Sequence, residues 1–531
     1  MTGGIASTAP GRMHSAGWPL IGGVVLANLA EAIAGTALGL SAGDIMGDMH
    51  ATPDEFALLG VGHTAARLIG FATAPWLLVR VEPHRALYAA TLATGAACGL
   101  AAVVGRLDLF ILLRILQGGA GAVLLVSGQT LLFLLYPRRS QPLVQAVFAL
   151  GAVVAPATLA PALQGWLIDK GSWTWVFFAA FPVSLAAAGL LTMASPISVP
   201  IARARRLDRI GLASFAVMMC CLTWVLSRGS RWDWFEDSRI VWLSLAATAG
   251  FVLFVLGQLR AERARRLFDL GVFRSTDFSF AFLVSFVAGA ALFGSGYLIP
   301  AFAVSVLGLA PVDAGFLLLP GSASFAAALL LAAYFMQARA LTPIATVPLG
   351  IGLIMAAMWM LSGSNGESGS ADMMPAVVLR GLGLGFLFLS ITLIAFARLP
   401  QAQLAAGIGL FNIGRQLGGL LGVAGLQTMI EHGIRVNQTV LGASVAAGAP
   451  GVADRLASTS ELLTIRGVDP GPAGQMALAL LAKTVSGQAE TIAYDSAFKA
   501  VALLFVAAAP VVLAARVALL AAHRRKQEAR P

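Results

Sequence analysis

One carboxylate stands deep inside a long apolar run of the chain. Glu31 lies near the middle of residues 18–42, and Asn28 precedes it by about one turn on the same helical face. A charge at the bilayer centre costs about 2.5–3.5 kcal/mol, so such residues usually face a protein interior and carry a function. Burial disfavours a charged carboxylate and a nearby cation favours it. Glu31 is therefore predicted to carry a proton or act as a substrate counter-ion, with a structural ion pair as the alternative.

An arginine, an amide and two glycines share one stripe of a later apolar run. Arg114, Gln117, Gly118 and Gly121 recur at helical spacing, and glycines in such a stripe let a neighbouring helix approach. An unpaired arginine is costly inside a membrane, so Arg114 is predicted to pair with Glu31 and to control its proton exchange. A purely structural pair is the alternative.

Three further polar sites interrupt apolar runs. His63 and Arg67 are four residues apart on one predicted helix face, which suits a satisfied polar pair or a proton relay beside a substrate cavity. Asn412 and Arg415 are three residues apart, next to glycines typical of close helix packing. Arg380 is nearer the end of its run, from where a long side chain can reach the membrane surface.

The motifs of most other site chemistries are missing. No G-x-x-x-x-G-K-[ST] loop is present, which excludes a Walker-type ATP site. The three cysteines and six histidines show no metal-ligand spacing. The sequence shows no Ser-His-Asp arrangement either. We therefore expect that the protein is not an enzyme and that it binds no metal or cofactor.

The elements that must position these residues are membrane helices. Hydrophobic residues make up 58% of the 531 and charged residues only 11%, against about 25% charged in a typical soluble domain. Apolar stretches of about 20 residues predict helical spans, and they do not alternate as the strands of a membrane barrel would. Fourteen spans are predicted: 17–41, 55–79, 86–105, 109–135, 142–168, 173–193, 210–227, 239–259, 278–299, 313–336, 342–362, 374–397, 404–430 and 499–520.

The charges between these spans predict the topology. With both termini in the cytoplasm, Lys and Arg concentrate on inner segments and Asp and Glu on outer loops, as the positive-inside rule requires. The net charge of +10 therefore reflects topology. Nucleic-acid binding is excluded, because the basic residues form short groups between spans instead of one solvated face.

Several motifs occur in chain order. They are R-I-L-Q-G-G-A-G from Arg114, S-W-T-W-V-F-F-A-A-F-P from Ser172, R-L-D-R-I-G from Arg206, G-S-R-W-D-W from Gly229, R-Q-L-G-G from Arg415, and Gln488, Tyr494, Asp495 and Phe498 near the end. Over almost the whole chain this pattern resembles the major facilitator superfamily, and within it the fourteen-span drug:proton antiporters of the EmrB/QacA type. In the antiporter motif of span 5, Pro161 and Gly165 match, and Gln164 replaces a glycine. The loop at 75–85 lacks the family's usual Asp and glycines.

The resemblance implies an all-α integral membrane protein with the major facilitator fold. The expected units are a cytoplasmic tail (1–16), a six-helix bundle (17–193), a linker with two extra spans (194–276), a second six-helix bundle (277–522) and a basic cytoplasmic tail (523–531). A long periplasmic loop, 431–498, is expected to contain two short surface helices, at about 452–463 and 475–492. It is either a solvated flap or a docking surface for a periplasmic adaptor protein.

The resemblance also implies a function: export of amphipathic organic compounds across the bacterial inner membrane, driven by the proton gradient, by alternating access. Glu31 and Arg114 would couple the proton. The polar part of the cavity would be lined by Asn28, His63, Arg67, Gln117, Arg380, Asn412 and Arg415. Phe293 and Tyr297 would supply its apolar part. One alternative is an exporter or importer of a single, possibly anionic, metabolite on the same fold. Another is a membrane sensor or enzyme that transports nothing.

Overall fold

The computed structural model describes residues 17–39, 41–194, 207–260, 266–339, 341–445 and 450–528. The predicted tail 1–16, most of the loop before 209 and the last residues of the tail 523–531 lie outside this part. Within it the chain is helical and has no β-strand. The helices are α1 (Gly17–Thr36), α2 (Ala42–Asp48), α3 (Pro53–Arg80), α4 (Pro83–Ala101), α5 (Leu107–Leu135), α6 (Gln141–Ala149), α7 (Ala160–Lys170), α8 (Thr174–Met193), α9 (Arg209–Arg228), α10 (Ser238–Arg260), α11 (Thr276–Ser305), α12 (Pro311–Phe316), α13 (Leu319–Ala338), α14 (Pro343–Leu361), α15 (Ser370–Phe396), α16 (Gln401–Ser444), α17 (Pro450–Ile465) and α18 (Pro470–Glu528).

Local sequence signals set several helix starts. The Thr52 hydroxyl accepts a hydrogen bond from the Glu55 backbone N–H, and the Glu55 carboxylate accepts one from the Thr52 N–H. This capping box satisfies two of the N–H groups that a helix start leaves without partners. Pro53 follows as the first residue of α3, where its missing N–H costs nothing.

Eleven helices of the described chain are long and apolar enough to cross a membrane. A twelfth span is added if α6, the π-helical segment Leu150–Leu159 and α7 count as one, bent by 44°. Pro156 lies inside that segment, where it removes a backbone hydrogen bond and favours a bend. The helices α4 and α16 coincide with the other two predicted spans but fall outside this count. Fourteen spans therefore stay a prediction.

Two helix bundles share one pattern of packing. In the first bundle α5 packs against α3 and α4, and α8 packs against α1 and α4. In the second, α15 packs against α13 and α14, and α18 packs against α11 and α14. The helices α9 and α10 pair with each other, and α9 also contacts α3 and α16. The two extra helices thus contact both bundles, while the predicted domain boundaries stay predictions.

The two bundles meet along several helices. The helix α16 of the second bundle packs against α3 and α5 of the first. The helix α6 packs against α13 and α15, and α7 packs against α12. These contacts bring the polar side chains of α1, α3 and α16 into one central region.

The segment 431–498 is mostly helical. The helix α16 extends to Ser444, and α17 confirms the helix predicted at 452–463. The separate surface helix predicted at 475–492 is wrong, because these residues form the first part of α18, which runs from Pro470 through the last predicted span. Residues 473–498 contain no proline, and single glycines do not end a helix.

Candidate functional site

Glu31 is held by an arginine on a neighbouring helix. Arg67 of α3 places Nη1 2.9 Å from Glu31 Oε1 and donates from Nη2 to Oε2 over 3.4 Å. The side chains of Glu31 and Arg67 are only 7% and 17% exposed. The contact is therefore an ion pair with one long hydrogen bond, since Glu31 Oε1 itself accepts no hydrogen bond in the described chain. The single acid of α1 therefore has its counter-charge on α3.

His63 stands beside this pair, one turn before Arg67 on α3. Its Nε2 lies 4.0 Å from Glu31 Oε1, and neither ring nitrogen has a hydrogen-bond partner in the described chain. The predicted grouping of His63 and Arg67 on one helix face is confirmed, and that face points at Glu31. A buried imidazole without partners is positioned to exchange a proton with the carboxylate or with a water molecule.

The predicted ion pair between Arg114 and Glu31 is wrong. Arg114 donates from Nη1 to the backbone oxygen of Ala34, over 2.6 Å, and to Gln117 Oε1, over 2.9 Å. Its Nη2 lies 3.5 Å from the oxygen of Gly35. These carbonyls belong to the last turn of α1, where a helix lacks internal donors and carries partial negative charge. The end of α1 thus stabilises Arg114 in place of a carboxylate.

Gln164 completes this cap on the end of α1. Its Nε2 donates to the backbone oxygen of Ile33, over 3.0 Å, and to Thr36 Oγ1, over 2.7 Å. The residue stands near the start of α7, after Pro161 and before Gly165. The glutamine that departs from the antiporter motif therefore ties α7 to α1, a contact that a glycine at this position could not make.

The glycines of α5 give Glu31 the room it occupies. A Cβ atom on Gly121 would lie 2.8 Å from Glu31 Cγ and 2.9 Å from Oε1. A Cβ on Gly118 would collide with the backbone oxygen of His63. Both positions therefore need a residue without a side chain, and the predicted close approach of a neighbouring helix at this stripe is confirmed.

Asn28 and Gln117 are buried but do not touch the carboxylate through hydrogen bonds. The Asn28 amide donates to the backbone oxygen of Val24, within its own helix. Gln117 accepts from Arg114 and lies 3.5 Å from Cys98 Sγ. Gln117 therefore holds Arg114 in place, and a contact of either residue with substrate stays a prediction.

The second bundle contributes an arginine without an acid. Arg415 donates from Nη2 to Asn412 Oδ1 over 2.7 Å, and its guanidinium lies 5.1 Å from the centre of the Phe388 ring. No carboxylate of the described chain lies within 4.0 Å of it. Arg415 borders a small cavity of about 20 Å³, whose other lining residues are Ser285, Ala288, Leu292, Phe325, Leu384, Leu387, Phe388, Ile391 and Phe411.

Arg380 and the two predicted aromatic residues do not line this cavity. Arg380 is buried and donates from Nε to Ser295 Oγ, over 2.7 Å, and from Nη2 to the Leu292 oxygen, over 3.3 Å. Its side chain does not reach the membrane surface, and its contact with substrate stays a prediction. Phe293 packs on Gly419 of α16, and Tyr297 packs at the edge of the hydrophobic core. Neither ring lines the cavity beside Arg415.

The contact of α3 with α16 brings the two polar groups to one depth. The helices run antiparallel, because the start of α3 lies near Glu431 while Phe71 packs on Gly409. Arg67 is one turn from Phe71, and Arg415 is under two turns from Gly409 in the same direction. The Glu31–Arg67 pair and Arg415 therefore lie at similar depths on the two sides of the contact between the bundles.

A short segment between α9 and α10 ties both bundles together at the predicted outer side. We call residues 228–234 the outer strap. The Arg228 guanidinium donates to Asp54 Oδ1 of α3 over 2.8 Å, which joins the strap to the first bundle.

Three further contacts join the strap to α16 of the second bundle. They are Ser230 Oγ to Glu431 Oε2 at 2.5 Å, Trp234 Nε1 to Thr428 Oγ1 at 3.1 Å, and Arg435 Nη1 to Asp233 Oδ1 at 3.2 Å. Sequence patterns gave no signal for these contacts beyond the G-S-R-W-D-W motif itself.

Aromatic rings join the bundles at the opposite end. Phe133, near the end of α5, meets Phe396 at the end of α15 with ring centres 5.4 Å apart. Phe396 also packs against Phe411 of α16, at 5.1 Å, and Phe278 of α11, at 6.5 Å. This aromatic cluster lies on the predicted cytoplasmic side, where the loop at 75–85 lacks the usual family residues.

Comparison with known proteins agrees with this architecture. A family model described as the Major Facilitator Superfamily matches residues 21–423. The chain belongs to this superfamily. Its members are transporters, and the apolar helices show that this one is a multi-pass membrane protein.

Three relatives align with most of the chain. The tetracenomycin C resistance and export protein of Streptomyces glaucescens is 27% identical over 99% of this chain and 96% of its own length. The multidrug export protein EmrB of Escherichia coli K12 is 24% identical over 76% of this chain and 78% of its own. The fatty acid resistance protein FarB of Neisseria gonorrhoeae is 23% identical, with coverage of 92% and 94%.

Proposed function

We propose that this protein exports amphipathic organic compounds from the cytoplasm in exchange for protons. The observation that carries the proposal is the buried Glu31–Arg67 pair, which joins two helices of one bundle beside the contact with the other. The names of the relatives, which include multidrug export and drug resistance proteins, support the transport activity. The proton gradient would supply the energy, without a cofactor.

In this proposal Glu31 carries the proton and Arg67 is its counter-ion. Protonation of Glu31 removes one of the two charges, so the ion pair weakens and Arg67 is released. His63, 4.0 Å from the carboxylate, is placed to pass the proton. Arg114 and Gln164 act as positioning residues, because they fix the end of the helix that carries Glu31.

The topology that fits this exchange has fourteen spans with both termini in the cytoplasm of a bacterium. The helices α4 and α16 would supply the two spans beyond the twelve that meet the length and hydropathy of a membrane helix. The outer strap would then face the periplasm, and the aromatic cluster of Phe133 and Phe396 would face the cytoplasm. Transport requires the bundles to separate at one end while they close at the other.

The experiment that tests the function uses purified protein in liposomes with an imposed pH gradient. The panel contains hydrophobic cations, acids and neutral compounds. A gradient should drive accumulation of at least one compound, and a proton ionophore should abolish it. Movement of every compound at equal rates with and without the gradient would contradict proton-driven export.

We also propose that the segment 431–498 docks a periplasmic adaptor protein. The helix α17 packs against the first part of α18, and this hairpin leaves large apolar side chains exposed, among them Leu462 at 61% and Ile465 at 75%. Exposed apolar residues on a hairpin outside the bundles are typical of a surface that binds a partner.

Deletion of residues 451–485 tests the adaptor proposal. Gln438 and Ser486 are joined by a hydrogen bond of 3.0 Å, so residues 439–450 and a Gly-Ser linker can connect α16 to the remaining part of α18. We expect export from cells to fall while transport in liposomes, which needs no adaptor, is retained. Unchanged export from cells would show that the hairpin is not a docking surface.

A further inference from the structure

The buried charges of the predicted spans do not balance. Four arginines, Arg67, Arg114, Arg380 and Arg415, lie deep inside these spans, against the one carboxylate of Glu31. Charges inside a membrane protein are normally paired or solvated. The predicted spans therefore hold a surplus of positive charge that the described chain does not neutralise.

Three of these arginines are held by other groups of the protein. Arg67 is paired with Glu31. Arg114 contacts two backbone oxygens at the end of α1 and Gln117. Arg380 donates to Ser295 and to the backbone oxygen of Leu292. Nε of Arg67 and Nε of Arg114 lack a partner in the described chain, but both atoms are fully buried, and Arg380 is only 4% exposed.

Arg415 differs from the other three. It makes one side-chain hydrogen bond, from Nη2 to Asn412, so Nη1 and Nε have no partner in the described chain. It is partly exposed, and none of its nitrogens is among the fully buried polar atoms without partners. Its remaining donors are therefore accessible to solvent.

The surroundings of Arg415 combine one cation with an apolar wall. Phe388 lies under the guanidinium, and Phe325 and Phe411 line the same cavity, with Ser285 as a further polar group. The cavity of about 20 Å³ holds about one water molecule. A ligand needs more room than this, so both its acidic group and its apolar body would enter the space that opens beside Arg415 when the bundles separate.

We propose that the transport site selects organic anions, with Arg415 binding the acidic group of the substrate. The inference rests on the proposed function and names the class of its substrate: an amphipathic carboxylate, sulfonate or phenolate. A guanidinium matches such groups with two parallel hydrogen bonds. The charge of Arg415, which has no carboxylate beside it in the described chain, attracts an anion and repels a cationic drug.

Binding of three matched probes tests the inference. The probes are 1-pyrenebutyrate, 4-(1-pyrenyl)butanol and 4-(1-pyrenyl)butyltrimethylammonium, which share one apolar body and differ in charge. Their affinity for the full chain in lipid nanodiscs is measured by fluorescence, without any gradient. The acid should bind about tenfold to a hundredfold more tightly than the alcohol, because a charge-assisted hydrogen bond is gained, and the cation should bind more weakly still.

Variants at Arg415 test whether this residue causes the preference for the acid over the alcohol. In Arg415→Gln the acid should bind no more tightly than the alcohol, while the affinity for the alcohol stays the same. Arg415→Lys should keep part of the preference, since lysine keeps the positive charge but cannot donate two parallel hydrogen bonds from one planar group. The control is Arg398→Gln, which removes the same charge from an exposed pair with Asp277, and it should bind all three probes like the wild type.

Equal affinity of the wild type for acid and alcohol would overturn the inference, and so would an unchanged preference in Arg415→Gln. The wild-type comparison needs no variant, so a failure of Arg415→Gln to fold leaves the test intact. Because binding is measured without a gradient, an acid preference in a protein that shows no proton-driven transport would contradict only the proposed function. Proton-driven transport without an acid preference would contradict only the anion site.

Discussion

At the scale of single residues, the site depends on how closely helices approach around Glu31. The Glu31 carboxylate fits against α5 because Gly121 has no side chain there. In the same way, α3 can pack closely against α5 because Gly118 has no side chain. Arg67 can then reach Glu31 with both terminal nitrogens. Small residues on α5 are thus part of the site even though they have no chemistry of their own.

Substitution of Gly121 by Ala tests this packing. The new Cβ would lie 2.8 Å from Glu31 Cγ, so the carboxylate must shift away from Arg67. Overpacking of this kind costs about 1–3 kcal/mol. We expect a lower melting temperature in detergent and a loss of proton-driven transport.

Gly119→Ala is the matched control, because a Cβ on Gly119 would have no atom within 4 Å. It introduces the same methyl group two residues away on the same helix. Equal melting temperatures and transport rates for the two variants would show that the room beside Glu31 is not needed.

At the scale of elements, the segment between α9 and α10 connects the two bundles. The outer strap between them holds the start of α3 through Arg228 and Asp54, and holds α16 through Ser230 and Glu431. Asp233 and Trp234 adopt left-handed backbone conformations with φ of 47° and 55°. Such conformations cost about 1–3 kcal/mol each in non-glycine residues, so the contacts of the strap must stabilise them.

Loss of the Arg228 contact should loosen the strap from α3. With spin labels at Leu58 and Arg231, we expect Arg228→Ala to broaden the distance distribution toward longer distances. Arg106→Ala is the control, since it breaks the pair of Arg106 with Asp108 in a different outer loop and should leave the distribution unchanged. A narrow, unshifted distribution in Arg228→Ala would show that the strap is held by other contacts.

Sequence patterns predicted the elements better than their mutual arrangement. Apolar runs and caps located nearly every helix, and helical spacing placed His63 and Arg67 on one face. The partner of Glu31 could not be read in this way, because periodicity defines the faces of one helix but not its rotation against another. The choice between Arg67 and Arg114 depends on that rotation. The long α18 was missed for a related reason, since a polar stretch outside the membrane continues a helix without any break in its hydrogen bonds.

At the scale of the whole molecule, the two bundles are joined at both ends by contacts of different chemistry. Polar contacts of the outer strap join them on the predicted periplasmic side, and the aromatic cluster around Phe396 joins them on the other. Charged contacts weaken in water and salt, while aromatic contacts depend mainly on the area that they bury. The aromatic cluster stands where the loop at 75–85 lacks the charged and glycine residues typical of the family.

To test whether Glu31 couples transport to protons, Glu31→Gln is compared with the wild type in liposomes. Two assays are run with the same substrate: accumulation driven by a pH gradient, and exchange of labelled for unlabelled substrate without a gradient. We expect Glu31→Gln to keep exchange but to lose accumulation, since its side chain cannot change charge. Glu367 is exposed in the loop before α15, so Glu367→Gln should keep both. Gradient-driven accumulation by Glu31→Gln at the wild-type level would show that Glu31 does not couple transport to protons.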